Sequence, residues 1–168
     1  QLKKTPTNPI HVGSITDNAT TALDVPIGIH VVGDYAYVAS RDDNGVEILD
    51  ISDPANPTHV GVIFDDATTA LDGIWDIEVV GNYAYIPSFD EDGVEILNIS
   101  DPANPVHVGV IFDDATTALD GARTISVVGN YAYVASPEDD GVEILDVSDP
   151  ANPTHVGAIF DDATTLLD

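Results

Sequence analysis

One unit of 48 residues recurs along this chain. His11, His59, His107 and His155 keep that step, as do Gly13, Gly61, Gly109 and Gly157, and Tyr35, Tyr83 and Tyr131. A fixed period in this range marks a propeller, solenoid or array. The copies are close: Ile51–Asn98 and Ile99–Asp146 differ at 11 of 48 positions. A repeat of this kind acts through shape and assembly, and a catalytic site would have to break it.

Within a copy the pattern is that of short strands. Taking the copy after Leu71, a first strand is expected over Gly73–Val80. It is followed by a tight Gly81-Asn82 turn, a second strand over Tyr83–Ser88 and an acidic turn ending in Gly93. A third strand is expected over Val94–Ile99, then a proline-rich loop and a fourth strand over Val106–Phe112. The segment Asp113–Asp120 links to the next copy, and one helical turn is expected there, capped by Asp114 and stopped by Gly121. The runs GVEIL and HVGVIF are apolar on both faces, as stacked blades require. The expected fold is therefore all-β: tandem four-stranded antiparallel blades of propeller type, three blades plus one extra outer strand. The organisation is a single repeat array over 1–168. Residues 1–24 form an N-terminal outer strand and linker, and the blades are 25–72, 73–120 and 121–168.

Charge narrows the partners. The chain has 30 acidic and 4 basic residues, a formal net charge of −26. That argues against nucleic acid, whose phosphates need a basic surface, and against an anionic membrane surface. No run is long and apolar enough to span a bilayer, so direct membrane insertion is not expected. The hydrophobic fraction, 43%, argues for a folded chain. There is no Cys, so neither disulfides nor thiolate metal sites arise. The opening at Gln1 reads as a processed or excerpted chain. In the sequon Asn18-Ala-Thr20, Asn18 is a glycan-acceptor candidate.

The segments GVEILDISDPANPTHVG (Gly45–Gly61) and VVGNYAYVAS (Val127–Ser136) resemble the LVIVD repeat family. The resemblance covers Asn8–Phe160 and implies a β-propeller fold in an extracellular or cell-surface setting. It implies no reaction and no catalytic residues. The acidic DDATTALDG insert departs from the family pattern.

In a meander every second connection lies at the same end, which puts 19 of the 30 acids on one face. Paired carboxylates beside Thr hydroxyls suit a hard cation. The metal candidates are Asp65, Asp66, Asp72, Asp90, Asp92, Asp113, Asp114, Asp120, Asp139 and Asp140. Ca²⁺ is the ion such a site would take, and no cofactor is required. A solvated acidic rim is the alternative. The repeated histidines stand a blade apart and are expected to be structural polar residues.

The copies differ most at the start of the first strand and at Arg41, Phe89 and Pro137. His30, Arg41, Trp75, Phe89 and Arg123 are therefore the ligand-face candidates.

Counting strands gives four outer strands, at Ile10–Ile15 and at the end of each unit, but only three inner sets. Three blades do not close a ring. The function expected is a non-enzymatic structural module of an extracellular assembly. Its copies associate head to tail by strand or blade completion, up to a filament. Lys3, Lys4, Ile10, Val12 and Ile15 are the assembly residues. The alternative is a fragment of a secreted ligand- or glycan-binding propeller.

Overall fold

A computed structural model describes residues 10–161. Among these residues twelve strands form three four-stranded antiparallel sheets, each a consecutive meander. Blade 1 is β1 (Pro26–Val32), β2 (Tyr35–Ser40), β3 (Gly45–Asp50) and β4 (Thr58–Phe64). Blade 2 is β5 (Glu78–Val80), β6 (Tyr83–Ser88), β7 (Gly93–Asn98) and β8 (Val106–Phe112). Blade 3 is β9 (Thr124–Val128), β10 (Tyr131–Ser136), β11 (Gly141–Asp146) and β12 (Thr154–Phe160).

Turn chemistry sets this order locally. Gly33, Gly81 and Gly129 take φ of 59°, 63° and 63° in two-residue hairpins, a conformation open to glycine at little cost. At the next turn Asn44, Asp92 and Asp140 adopt φ of 50°, 54° and 48°, which short polar side chains tolerate. The first strands lie side by side, β1 against β5 and β5 against β9.

The core lies between blades. The forward face of blade 1 (Tyr37, Val46, Ile48) packs on the rear face of blade 2 (Leu71, Ile77, Val79, Leu97). The forward face of blade 2 (Tyr85, Val94, Ile96) packs in the same way on blade 3 (Leu119, Ile125, Val127, Leu145). β3 and β7 are thus buried on both sides, whereas the outer strands β4 and β8 are mostly open to solvent. The expectation that HVGVIF is buried on both faces is corrected here: an outer strand has too few neighbours at its edge of the blade.

Three further expectations change. Ile10–Ile15 carries no ladder, because the described residues supply no third strand beside it. Gly73–Val80 is strand only from Glu78, with one bridge between Ile74 and Ser88. Asp76 draws the backbone off the ladder: its Oδ1 accepts the Ile77 N–H, and its Oδ2 accepts the Ile125 N–H of blade 3. The DATT inserts form tight turns in place of a helical turn, because Asp114 Oδ1 accepts both the N–H and the hydroxyl of Thr116.

Candidate functional site

Each outer strand carries one extra residue. Ile48 pairs with Gly61 and Leu49 with His59, which leaves Val60 as a bulge. The same shift recurs in blades 2 and 3. Side chains alternate along a strand, so one inserted residue reverses the parity of all that precede it. The bulge therefore swings His59 to the face that carries Glu47. There His59 Nδ1 lies 2.5 Å from Glu47 Oε1, and the Ala22 N–H donates to Glu47 Oε2 at 3.0 Å. Glu95 binds His107 and the Ala70 N–H, and Glu143 binds His155 and the Ala118 N–H, in the same way. All three glutamates are fully buried. Burial pushes the Glu95 carboxyl up to about 7, partly offset by its bond to His107, and raises Glu143 too. Each pair staples third strand, outer strand and entry segment into one unit. His59, His107 and His155 are thus held as structural polar residues, each by a buried glutamate. Their sequence signal is one charged residue inside an apolar strand, 12 positions before each of these three histidines.

The inserts meet the acidic turns, and the carboxylates of both serve the backbone. Asp65 Oδ1 accepts the Thr69 hydroxyl and the Leu71 N–H, while Asp66 Oδ1 accepts from Thr68. Asp113 and Asp114 repeat this with Thr117, Leu119 and Thr116. These bonds hold Asp66 and Asp114 below the usual carboxylate range. Asp139 accepts the Asp120 N–H, Glu91 accepts the Asp72 N–H, and Asp92 accepts the Gly121 N–H. Burial, together with Asp92 and Asp139 nearby, raises Asp120. Asp90 packs closely beneath Gly73. Among the described residues no three His, Asp or Glu side chains converge as a metal site. Asn18 is exposed, and its Oδ1 accepts the Thr20 N–H and hydroxyl.

Four ligand-face candidates, drawn from all three blades, come together. The Arg123 guanidinium lies 4.2 Å over the Trp75 ring, and Arg41 lies 5.5 Å from it. Phe89 tilts against Trp75 at 6.2 Å. Arg41 also bonds Asp42 at 2.7 Å. His30 stands apart, 3.3 Å from Glu78 of blade 2.

The two ends of the array are unlike its middle. Tyr37 and Tyr85, on forward faces, are 5% and 4% exposed, whereas their counterpart Tyr133 in blade 3 is 40% exposed. On rear faces Ile77 and Ile125 are 2% and 7% exposed, whereas Ile29 in blade 1 is 63% exposed. Val31 is likewise open where Val79 and Val127 are covered. A cavity of about 430 Å³ opens on blade 3 between Arg123, Ser136, Asp140 and Val142. Of the expected assembly residues, Lys3 and Lys4 lie outside the described residues. Ile10 and Val12 are exposed, and Ile15 packs on Ala36, Val38 and Leu49.

Among the described residues no helix is long and apolar enough to cross a membrane. No curated protein matches the sequence. Solved structures share the fold at low identity. A protein from Lactobacillus plantarum matches with TM-score 0.69 and 16% identity over 84% of this chain and 44% of its own. The periplasmic gluconolactonase of Pseudomonas aeruginosa matches with TM-score 0.61 and 13% identity over 80% and 41%. The computationally designed Ika4 protein matches with TM-score 0.61 and 7% identity over 88% and 78%. The chain thus spans less than half the length of the first two. The model of the LVIVD repeat matches residues 27–65, 74–113 and 121–161, one match per blade, and the chain belongs to the LVIVD-repeat family.

Proposed function

We propose that the chain is a non-enzymatic structural module that builds a larger propeller-type assembly by docking blade on blade, head to tail, in an extracellular or cell-surface setting. One observation carries this reading. The forward face of blade 3 and the rear face of blade 1 are the two halves of an interface that the chain already makes twice within itself. Each half is partly open at its end of the array, at Tyr133 on blade 3 and at Ile29 and Val31 on blade 1, while Leu49 beside them is covered by Ile15 and Leu23. Fully burying a large apolar side chain contributes about 1.5–3 kcal/mol. Several such residues on the two faces offset the roughly 4–15 kcal/mol that association costs. A second copy carries the matching face, built from the same repeat positions. Contact of this kind is heterologous, giving a ring if the rotation closes and a filament if it does not.

Sedimentation velocity over a concentration series is the test. Association is expected for the wild type and is lost in Ile29→Asp and in Tyr133→Asp, each of which buries a charge in the docked state. Equal association of all three proteins would refute the reading.

A second reading, ligand binding at the rim, is favoured by the stack of Arg41, Trp75 and Arg123. Arginine and tryptophan are the residues that most often anchor partners. Trp75 is the only tryptophan, so its fluorescence reports directly on that place. A saturable change on adding neutral or acidic oligosaccharides, absent in Arg123→Ala, would support it. The gluconolactonase likeness speaks for the fold alone.

A further inference from the structure

Four glycines hold one place in the repeat, on the outer strand or its N-terminal counterpart. Gly61 and Gly109 abut the proline loop of the next blade. A Cβ there would meet the Pro102 and Pro150 carbonyl oxygens at 2.3 and 2.4 Å, closer than such contacts allow. Gly13 sits the same way on Pro54 and Ala55, where its Cβ would meet the Pro54 oxygen at 2.3 Å. At Gly157 a Cβ would meet none of the described residues within 4 Å. Three glycines are seated, and the fourth, on β12, faces no loop among the described residues.

Docking a second copy onto blade 3, in the relation blades 1 and 2 already have, brings Gly157 to the Pro54–Ala55 loop of that copy. That seat is taken by the copy's own Gly13. Two near-identical segments, HVGSITD over 11–17 and HVGAIFD over 155–161, thus claim one place. What holds each of them decides which yields. β12 is fixed by a six-pair ladder to β11 and by the His155–Glu143 contact at 2.6 Å. Residues 10–16 have no ladder, Ile10 and Val12 are exposed, and Ile15 alone packs on the blade 1 cluster.

We infer that residues 10–16 are a built-in plug on the head face of blade 1, displaced by the β12 strand of the preceding copy when two chains dock. The inference rests on the docking reading above. It reverses the expected role of Ile10, Val12 and Ile15 from promoting assembly to restraining it. It also gives assembly a threshold, because each junction must first release a segment that imitates the incoming strand.

Two single-residue variants of the full chain test it by sedimentation velocity. Gly13→Val cannot seat its segment against Pro54, so the head face is freed and the apparent dissociation constant falls about tenfold or more. Gly157→Val has room in the isolated chain, so circular dichroism and the melting midpoint are unchanged. Docked, it meets Pro54, so association weakens about tenfold or more. If Gly13→Val weakens association while Ile29→Asp abolishes it, the segment is a donated strand; the plug is overturned and the docking reading stands. If Gly157→Val associates like the wild type, β12 does not use the seat, and the plug is again overturned. If the wild type, Gly13→Val and Ile29→Asp all stay monomeric, docking and plug fail together.

Discussion

His107 Nδ1 lies 2.6 Å from Glu95 Oε1, and the other oxygen of this fully buried carboxyl group accepts the Ala70 N–H. One acid therefore joins three segments that are distant in sequence, and its removal leaves a buried N–H without a partner. Glu95→Ala is expected to cost about 3–5 kcal/mol, the range for breaking a buried pair. Urea unfolding of the two proteins at one pH measures it.

The same group makes stability depend on pH. The folded protein holds the Glu95 proton up to about pH 7, whereas the ordinary value is 4.5. Between these the folded state binds more protons than the unfolded chain, so stability falls as pH rises through the window and levels off above it. Glu95→Gln removes this slope. The wild type is expected to lose up to about 3 kcal/mol more than Glu95→Gln between pH 4.5 and 7. Asp66 and Asp114 act in the opposite sense. Their lowered values contribute stability that is present above the ordinary carboxylate range and is lost as pH falls below it. Parallel slopes for wild type and Glu95→Gln would show that Glu95 is ionised throughout.

The glycine series gives a graded result within the monomer. Gly61→Ala and Gly109→Ala push a methyl group into the next proline loop, an overpacking worth about 1–3 kcal/mol. Gly157→Ala meets none of the described residues and stays within about 0.5 kcal/mol of the wild type. Thermal melts at high dilution rank the three variants.

Val25 holds φ of 50° where Gly73 and Gly121 hold 65°. A left-handed residue other than glycine costs about 1–2 kcal/mol, and a branched β-carbon worsens the clash. Val25→Gly relieves it at a smaller cost in chain entropy. Stabilisation of up to about 1 kcal/mol is expected, read as a higher melting midpoint. A drop in midpoint would mean that the Val25 side chain contributes packing that outweighs its strain.

The rim carboxylates already accept hydrogen bonds from Thr68, Leu71, Thr116 and Leu119, and the chain carries a formal charge of −26. Screening this self-repulsion should raise the melting midpoint as ionic strength rises. Calcium and sodium chlorides at matched ionic strength are expected to act alike. A higher midpoint in calcium would assign the ion to the rim after all.

How much of this was legible in the sequence differs from place to place. The period, the hairpin glycines such as Gly81, and the strands Tyr83–Ser88 and Val106–Phe112 are local. Backbone preference and side-chain alternation act over a few residues, and the structure repeats them as expected. Variation among the copies also pointed to Arg41, Trp75, Phe89 and Arg123. That they meet, and that His30 turns instead to Glu78, was decided by the convergence of the first strands of all three blades. The Glu–His staple needed a bulge that shifts side-chain parity, and no residue pattern announces a bulge at Val60. The seat of Gly13 required blade 1 to place Pro54 beneath a segment that lacks a ladder of its own. Local sequence sets dihedral angles and alternation, so it determined the strands, the turns and their order. Which separate strands approach each other, and which charges are stripped of water when they do, depends on how the blades stack, and only the tertiary structure decided that.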